Sequence, residues 1–434
     1  MNISILTVFP QLFDQFLGTS LIGRAVEQKK INVQLLNYFS YCPPKQRIDA
    51  PPFGHGAGMV MKPEVVGAAI EDAQNQFPGK PYRIFFSPQG KTLDQYLLKE
   101  IAQKVQESNH LMIVSSRYEG MDERVEQEYA DLVLSIGDYV LMGGDVPAMV
   151  LLEGLLRLVP GIVGKEESVA LESFEGPFVD YPTFTAPVVW KGREVPEILR
   201  SGNHAKMEAW RHAVAVKKSV AHHFEWVRSH ELDQKQRKEV LNEIPPHYCI
   251  LLHSQVMLPD GKEGTTSVTS MDIHDIARSG RTFGIKNYLI VTPLKDQQSI
   301  VRTLLDFWQT GRGVTYNNHR HEAVSRVELM SSFDEALEFI RQQEDKEPVV
   351  VTIESERMKG KEISYYDQDL VWSHKRPVVL VFGTAKGLSQ SLVDRADYLL
   401  DPIDGLTDFN HLSVRSAVAI VFDRWLGLKY KRRK

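Results

Sequence analysis

The sequence predicts an α/β protein made of two parallel-sheet domains with a small helical domain between them. Three observations carry that expectation. Up to Val159, short apolar segments of strand length alternate with helix-like stretches, the pattern of parallel strands joined by crossover helices. The same rhythm restarts after His247. Between the two runs stand a loop rich in glycine and proline and then a basic, helix-favouring stretch. The length agrees, since 434 residues make about three units at ~150 residues each.

The elements follow in order. Residues 3–8, 82–86 and 111–114 read as strands, with a helix over 93–108 between the second and third. An apolar helix over 147–159 ends at Pro160-Gly161. Residues 161–187 mix Gly161, Gly164, Gly176, Pro177, Pro182 and Pro187 with acidic residues and show no periodicity; so long a loop is usually functional or disordered. From Glu194 to Asn242 the residues favour helix and gather His204, Lys206, Arg211, His212, Lys217 and Lys218 on what reads as one basic face. Ile244-Pro245-Pro246 punctuates the chain. Strands are then expected at 248–252, 288–291, 349–351 and 378–381. The resulting boundaries are 1–165, a loop or linker at 166–190, a helical domain at 191–244, and 245–434. Two echoes suggest a duplicated fold. Residues 85–88 resemble 290–293, and residues 130–136 resemble 396–403.

Composition narrows the function. Apolar residues make up 43% and charged residues 25%, ordinary for a soluble chain with sizeable cores. The two cysteines, Cys42 and Cys249, form no CxxC spacing, which excludes a zinc ribbon, an iron–sulfur site or a secreted disulfide scaffold. No apolar run reaches the ~20 residues of a membrane helix, and the start lacks a secretory pattern, so a cytoplasmic protein with no membrane partner is expected. The net charge of −5, 51 basic against 56 acidic residues, argues against an indiscriminate nucleic-acid binder but leaves room for a local basic face. The densest basic run, Lys429 to Lys434, reads as a solvated terminus.

The chemistry of the first half lies on two loops. Residues 116–120 follow a buried strand, and residues 136–145 join a strand end to a glycine pair. Ligands bind at the carboxyl ends of parallel strands, and glycines there let the backbone approach an adenine ring and ribose closely. Neither loop matches GxGxxG or GxxxxGK[ST], which counts against an ordinary dinucleotide site and against a rival reading as a phosphate-gripping nucleotide binder. Two tight turns in a sheet remain the structural alternative.

The residues themselves carry a resemblance. Ser-Arg-Tyr-Glu-Gly-Met-Asp-Glu-Arg at 116–124, Ser-Ile-Gly-Asp-Tyr-Val-Leu at 135–141, Gly-Gly-Asp-Val-Pro-Ala-Met at 143–149 and Leu-Arg-Ser-Gly-Asn-His-Ala at 199–205, with Phe86-Ser87-Pro88-Gln89-Gly90 and Phe9-Pro10, resemble the signature of the bacterial tRNA (guanine-N1)-methyltransferases over about residues 1–240. That family belongs to the SPOUT methyltransferases, so the resemblance implies a deep trefoil knot, a topology general rules make very rare. It implies S-adenosylmethionine held by Ser87, Pro88, Tyr118, Glu119, Ser135, Ile136, Gly137, Tyr139, Leu141, Gly143, Gly144 and Pro147, with Ser116, Asp138 and Val140 on the same loops. The family usually has glycine where this chain has Ser116.

The implied substrate is tRNA, at the guanosine immediately 3′ of the anticodon. Guanine N1 must lose a proton as the methyl arrives, and negative charge then develops on O6. Arg157 matches the family's catalytic arginine and suits O6. The family carries Asp in an Asp-Ser-Phe sequence on its flexible loop; here Glu172-Ser173-Phe174 keeps the carboxylate on a longer arm, so Glu172 is the expected base, with Asp180 in a weaker supporting role. The basic stretch with His204, Arg211, Lys217 and Lys218 would grip tRNA phosphates. The family's enzymes are homodimers, so a homodimer is expected. No metal site is read in the sequence, although the carboxylate-rich loop leaves room for Mg2+.

In the second half, Phe382-Gly383-Thr384-Ala385-Lys386-Gly387-Leu388, Asp401-Pro402-Ile403-Asp404-Gly405 and Asn410-His411-Leu412-Ser413-Val414-Arg415 repeat the order of a glycine loop, a strand-end turn and an apolar helix. In sequence these resemble the cofactor region of a second SPOUT-type RNA methyltransferase of unknown target. The resemblance places S-adenosylmethionine against Gly383, Thr384, Gly387, Ile403 and Leu412. The alternative is a non-catalytic RNA-binding or dimerisation module. Asn410, His411 and Arg415 are candidates for catalysis or RNA contact, with Asn410 equally readable as a helix N-cap. His319 and His321, without a third ligand, read as a polar loop rather than a metal site. His274 and Arg278 read as a solvated helix start.

Overall fold

The computed structural model describes residues 1–163, 173–354 and 359–429. The chain divides into two compact units, Met1–Glu175 and Gly176–Lys434. Glu172 and the basic residues after Lys429 lie outside the described residues.

In the first unit five parallel strands stand in the order Asn32–Asn37, Asn2–Thr7, His110–Val114, Tyr82–Thr92, Leu132–Ser135. Apolar residues lie on both strand faces because helices cover both sides. Ile3, Ile5, Ile84, Leu111 and Ile113 pack into one core, while Leu6, Phe85, Met112 and Val114 pack into the other. The helix Gln95–Ser108 begins where Asp94 accepts the Leu97 amide (2.9 Å) and ends at Asn109 in the left-handed region (φ 52°). These are the local signals that start and stop a helix.

The pairing of Leu132–Ser135 is unusual. Leu134 is paired with Phe86 and again with Lys91, so the strand lies between two passes of the segment Tyr82–Thr92. Gly90 makes the turn between those passes against the strand's backbone. A Cβ there would come within 2.6 Å of the Leu134 carbonyl carbon, closer than any side chain permits.

In the second unit seven parallel strands stand in the order Val327–Met330, Asn287–Val291, His247–Leu252, Val378–Gly383, Val349–Ile353, Tyr398–Leu400, Glu362–Ile363. Five of them repeat the first unit's arrangement: Asn287–Val291, His247–Leu252, Val378–Gly383, Val349–Ile353 and Tyr398–Leu400 occupy the places of Asn32–Asn37, Asn2–Thr7, His110–Val114, Tyr82–Thr92 and Leu132–Ser135. Tyr398–Leu400 also lies between two partners, Val349–Ile353 and Glu362–Ile363. The echo between residues 130–136 and 396–403 therefore joins equivalent strands. The echo between 85–88 and 290–293 does not, because Asn287–Val291 sits three places away from Val349–Ile353 in its sheet. A buried strand leading into a hydroxyl-proline turn arises at any carboxyl edge.

The helices His204–His222, Phe224–Arg228 and Gln234–Glu243 belong to this second unit. Val216, Val220, Phe224, Val227, Leu232 and Val240 share one core with Cys249, Leu251, Trp372 and Trp425 of the sheet region. Arg228, fully buried, donates to the carbonyls of Asp423, Arg424 and Gly427, each at 2.7 Å. It thereby brings a charged donor to the carbonyls at the end of the helix Val414–Leu426.

Candidate active sites

The first site stands at the carboxyl edge of the first sheet, where the chain leaves three neighbouring strands. Ser87 and Pro88 follow Phe86, Ser116 to Glu119 follow Val114, and Ile136 to Leu141 follow Ser135. The loops are tied by their backbones: Gly144 N donates to Ser116 O (2.9 Å) and Leu93 N to Ser135 O (2.8 Å). Gly143 and Gly144 pass directly against the loop 115–117. A Cβ on Gly143 would stand 2.6 Å from Arg117 Cδ and 2.9 Å from Ser116 O, and one on Gly144 would stand 3.0 Å from Ser116 N. Gly137 has φ 147°, and Tyr139 folds back so that its ring approaches that position. Pro147 is buried in the first turn of the helix Asp145–Arg157.

Asp145 holds this crossing together. Its buried carboxylate accepts from Thr7 Oγ1 (2.6 Å) and from Arg117 Nε (2.8 Å) and Nη2 (2.7 Å). Arg117 also stacks on the Phe9 ring, 4.7 Å from its centroid. On the other side, Met59 to Met61 bracket the loop: Glu119 N donates to Met59 O (2.9 Å) and Met61 N to Gly120 O (3.0 Å). The Glu119 side chain lies where Gly58 (φ 84°) has no Cβ. None of Thr7, Asp145, Met59 or Gly58 was singled out from sequence. Gly54, Gly56 and Gly58 in one short polar stretch were the signal for that bracket. The arrangement fits a nucleoside-bearing cofactor: the carboxyl ends of three strands converge, and glycines stand where a Cβ would collide.

Arg157 ends the helix Asp145–Arg157 on its exposed face, with Val146, Val150 and Glu153, positions spaced at i, i+4, i+7 and i+11 along one helix side. Asp180 accepts the Tyr181 amide (2.7 Å). Of the basic residues, His204, Lys217 and Lys218 are exposed on His204–His222, while Arg211 pairs with Glu208 (2.6 Å) and lies over the Tyr181 ring (4.8 Å). Lys217 also lines a cavity of about 810 Å3 shared with His222, Lys346, Lys375 and Arg376.

The second site is a cavity of about 1160 Å3 at the carboxyl edge of the second sheet. All five residues expected to hold the cofactor there, Gly383, Thr384, Gly387, Ile403 and Leu412, line it, as do Asn410 and His411. The helix Val414–Leu426 is capped by Ser413, which accepts the Ser416 amide (3.3 Å), so the N-cap role read for Asn410 belongs to Ser413. Arg415 pairs with Asp275 (3.2 Å) and Asp272 (3.6 Å). A hairpin, Ser254–Met257 with Glu263–Thr265, brackets the glycine loop: Met257 N donates to Gly387 O (2.9 Å) and Lys386 N to Met257 O (3.0 Å). This matches the bracket at Met59 to Met61. A hydroxyl chain steadies the loop from beneath, with Thr384 Oγ1 bonded to Thr266 Oγ1 (2.6 Å) and Thr266 to His253 Nδ1 (3.1 Å). His253 is held neutral, its pKa lowered to about 4 by burial.

Sequence reasoning missed Glu354, which also lines this cavity. No clustered histidines, cysteines or carboxylates with metal-site geometry occur among the described residues. His321 Nδ1 bonds the Trp308 carbonyl (2.8 Å), and Arg320 lies over the Trp308 ring (4.9 Å). His274 is half-buried edge-on against Trp308, not fully solvated as read.

Comparison with known proteins follows this geometry. Residues 1–229 match the family model described as tRNA (Guanine-1)-methyltransferase TrmD, and residues 246–427 match one described as SAM-dependent RNA methyltransferase. A protein of Oleidesulfovibrio alaskensis named tRNA (guanine-N(1)-)-methyltransferase is 37% identical over 98% of this chain and 99% of its own length. The chain belongs to the tRNA (guanine-N1)-methyltransferase family. The methyltransferase of that name from Nitratidesulfovibrio vulgaris matches equally, at 37% over 98% of this chain and 99% of its own. The one from Bacillus subtilis is 37% identical, with 97% of its length covered by 55% of this chain. The family thus includes members matched by the first part of this chain and members matched throughout, second sheet included. No helix among the described residues is long and apolar enough to cross a membrane.

Proposed function

We propose that the first unit transfers a methyl group from S-adenosylmethionine to N1 of the guanosine immediately 3′ of the tRNA anticodon, and that the second unit is a second S-adenosylmethionine-dependent RNA methyltransferase. The observation that carries this reading is end-to-end similarity to named tRNA (guanine-N1)-methyltransferases, with a separate RNA-methyltransferase match over the second unit.

The cofactor supplies an electrophilic methyl on sulfur; the rest falls to this chain. The loops of Ser87 and Pro88, of Ser116, Tyr118 and Glu119, and of Ser135 to Leu141, with Gly143, Gly144 and Pro147, hold and orient it, so that the methyl lies in line with N1. Arg157 presents its guanidinium to O6, where charge develops. Glu172 takes the N1 proton, and Asp180 supports the same loop. His204, Arg211, Lys217 and Lys218 hold phosphates, which gives affinity without sequence information. The close backbone passages at Gly90 and at Gly143-Gly144 support a trefoil knot in the first sheet, and a second knot is part of the reading of the other.

A homodimer is part of the reading. The first unit exposes Val140 (85%) and Met142 (89%), together with Val146 and Val150 beside Arg157, a run of apolar residues that association would cover. Mg2+ would serve near the carboxylates of the catalytic loop, and the cytoplasm is the expected location.

The test is methyl transfer from S-adenosylmethionine to unmodified tRNA by the full chain, with products mapped by mass spectrometry. One methyl on N1 of the guanosine beside the anticodon, lost in Arg157→Ala and Glu172→Gln, is expected. A methyl elsewhere, or one indifferent to both substitutions, overturns the assignment. A second mark that survives both belongs to the second unit; its absence from every RNA offered leaves that unit a binding or dimerisation module.

A further inference from the structure

The second site contains a carboxylate to which the cofactor reading gives no role. Glu354 stands directly after the strand Val349–Ile353 and lines the cavity beside Gly387 and Leu388. Its oxygens accept the Leu388 amide at 3.2 and 3.3 Å, the one hydrogen-bond donor it has among the described residues. Gly387, with φ 99°, has no Cβ where one would overlap Glu354 Oε2. The loop is thus shaped around this carboxylate. The other charged groups on the cavity wall among the described residues are Lys359, Lys386, Asp394 and His411. Lys386 Nζ donates to Pro259 O (3.2 Å) and Asp394 accepts from Gln390 (2.7 Å). Burial pushes the Glu354 carboxyl up to about 7 against the single backbone bond that lowers it. A group so placed changes its proton near neutrality.

Among the described residues the two sites also differ in their arginines. The helices Asp145–Arg157 and Val414–Leu426 have 13 residues each and follow equivalent strands. Where the first ends in Arg157, the second ends in Leu426. Arg424 lies over the Tyr365 ring (5.1 Å) and Arg415 is paired with Asp272 and Asp275. No arginine is among the described residues lining the second cavity.

We propose that Glu354 is the proton acceptor for methyl transfer in the second site, acting on an RNA hydroxyl or N–H. This deepens the reading of the second unit as a methyltransferase and rests on it. The RNA atom gives its proton to the Glu354 carboxylate and forms the new bond to the methyl carbon; the carbon–sulfur bond breaks with its electron pair left on sulfur, which becomes the neutral thioether.

The experiment uses the full chain carrying Arg157→Ala, which silences the first site, with methyl-labelled S-adenosylmethionine and total RNA from cells deleted for this gene. Label in RNA is expected, falling about tenfold per pH unit below pH 7. Adding Glu354→Gln lowers the rate about a hundredfold or more and abolishes the acid limb. Calorimetry still counts two cofactors per chain, and Glu354→Gln in the Arg157 chain still methylates tRNA at the first site, which reports correct folding. Loss of one cofactor per chain would make Glu354 a cofactor anchor and overturn the proposal, as would an unchanged rate or pH profile. No label from the Arg157→Ala chain overturns the methyltransferase reading of the second unit, and the role of Glu354 with it.

Discussion

Asp131 and Asp397 make the same bond in two different sheets. Asp131 Oδ2 accepts the amide of Arg83 (2.9 Å), and Asp397 Oδ2 accepts the amide of Val350 (2.8 Å). In return the Asp131 amide donates to Arg83 O (3.0 Å) and the Asp397 amide to Val350 O (2.9 Å). Each aspartate immediately precedes the strand flanked by two partners and fixes its register against the neighbouring strand. That correspondence, with the shared strand order, marks the two sheets as copies of one fold.

Their surroundings differ, so their deletion should differ. Asp131 also accepts Arg83 Nε (2.9 Å), with Lys80 Nζ 3.9 Å away. Burial works to raise its pKa, but the bonds from the Arg83 side chain and amide and the charges of Arg83 and Lys80 outweigh it and hold the carboxyl below the usual range. Asp131→Ala should cost the first unit about 2 kcal/mol, and Asp397→Ala, which loses a neutral amide bond, about 1 kcal/mol. A carboxyl depressed in the folded state stabilises above its unfolded pKa, and that contribution fades as pH falls through the folded value. The difference between Asp131→Ala and the parent should therefore shrink below about pH 4. Hydrogen exchange of the strand amides at two pH values measures both effects.

Gly90→Ala should be the most damaging single methyl addition in the first unit. Its Cβ would meet the backbone of Val133 and Leu134 at 2.6–2.7 Å, and backbone paired on both sides cannot yield. A loss of about 3 kcal/mol is expected. Gly144→Ala, whose closest contact is 3.0 Å, should cost about 1 kcal/mol and weaken S-adenosylmethionine binding more than folding. Chemical denaturation alongside calorimetry separates the two outcomes.

Arg228→Met keeps the apolar stem and removes the guanidinium that meets three carbonyls at the end of Val414–Leu426. A destabilisation of the second unit by about 3 kcal/mol is expected, because three buried acceptors lose a charged donor together. Exchange protection should fall in Val414–Leu426 and Phe224–Arg228 together, while the first sheet is unchanged.

Two buried histidines make the second unit acid-sensitive. Burial lowers the pKa of both His247 and His253 to about 4. His247 Nε2 accepts from Trp425 Nε1 (3.0 Å) and Trp372 Nε1 (3.3 Å), bonds that a protonated ring could not accept. A histidine near 4 when folded and near 6.5 when unfolded takes up its proton on unfolding, so stability falls as pH drops from about 6.5 towards 4, by about 1.4 kcal/mol per pH unit for each. His247→Gln should reduce that slope by about one proton, read from denaturation midpoints across the range.

Much of this was legible in the sequence because parallel strands buried on both faces, and loops of glycine at their ends, leave local signals. Residues 111–114 and 378–381 stand out as apolar runs, and Gly383 to Gly387 as a loop that opens a cavity. What escaped depends on which loops meet. Asp145 reads as the end of a glycine loop, and only the fold brings Thr7 and Arg117 to it. Glu354 reads as a polar strand end; its interest comes from Leu388 and Gly387, more than thirty positions later. The helices of residues 204–243 read as a separate domain because Ile244-Pro245-Pro246 looks like a linker, whereas Val216, Phe224 and Val227 find their apolar partners beyond it.

That shared core has a consequence for inheritance of the two activities. A scission near residue 243 would strand Phe224 and Val227 in water and leave the carbonyls of Asp423 to Gly427 without Arg228. Loss of the downstream gene segment by frameshift or recombination would thus uncover the apolar side of the helices His204–His222, Phe224–Arg228 and Gln234–Glu243 as well.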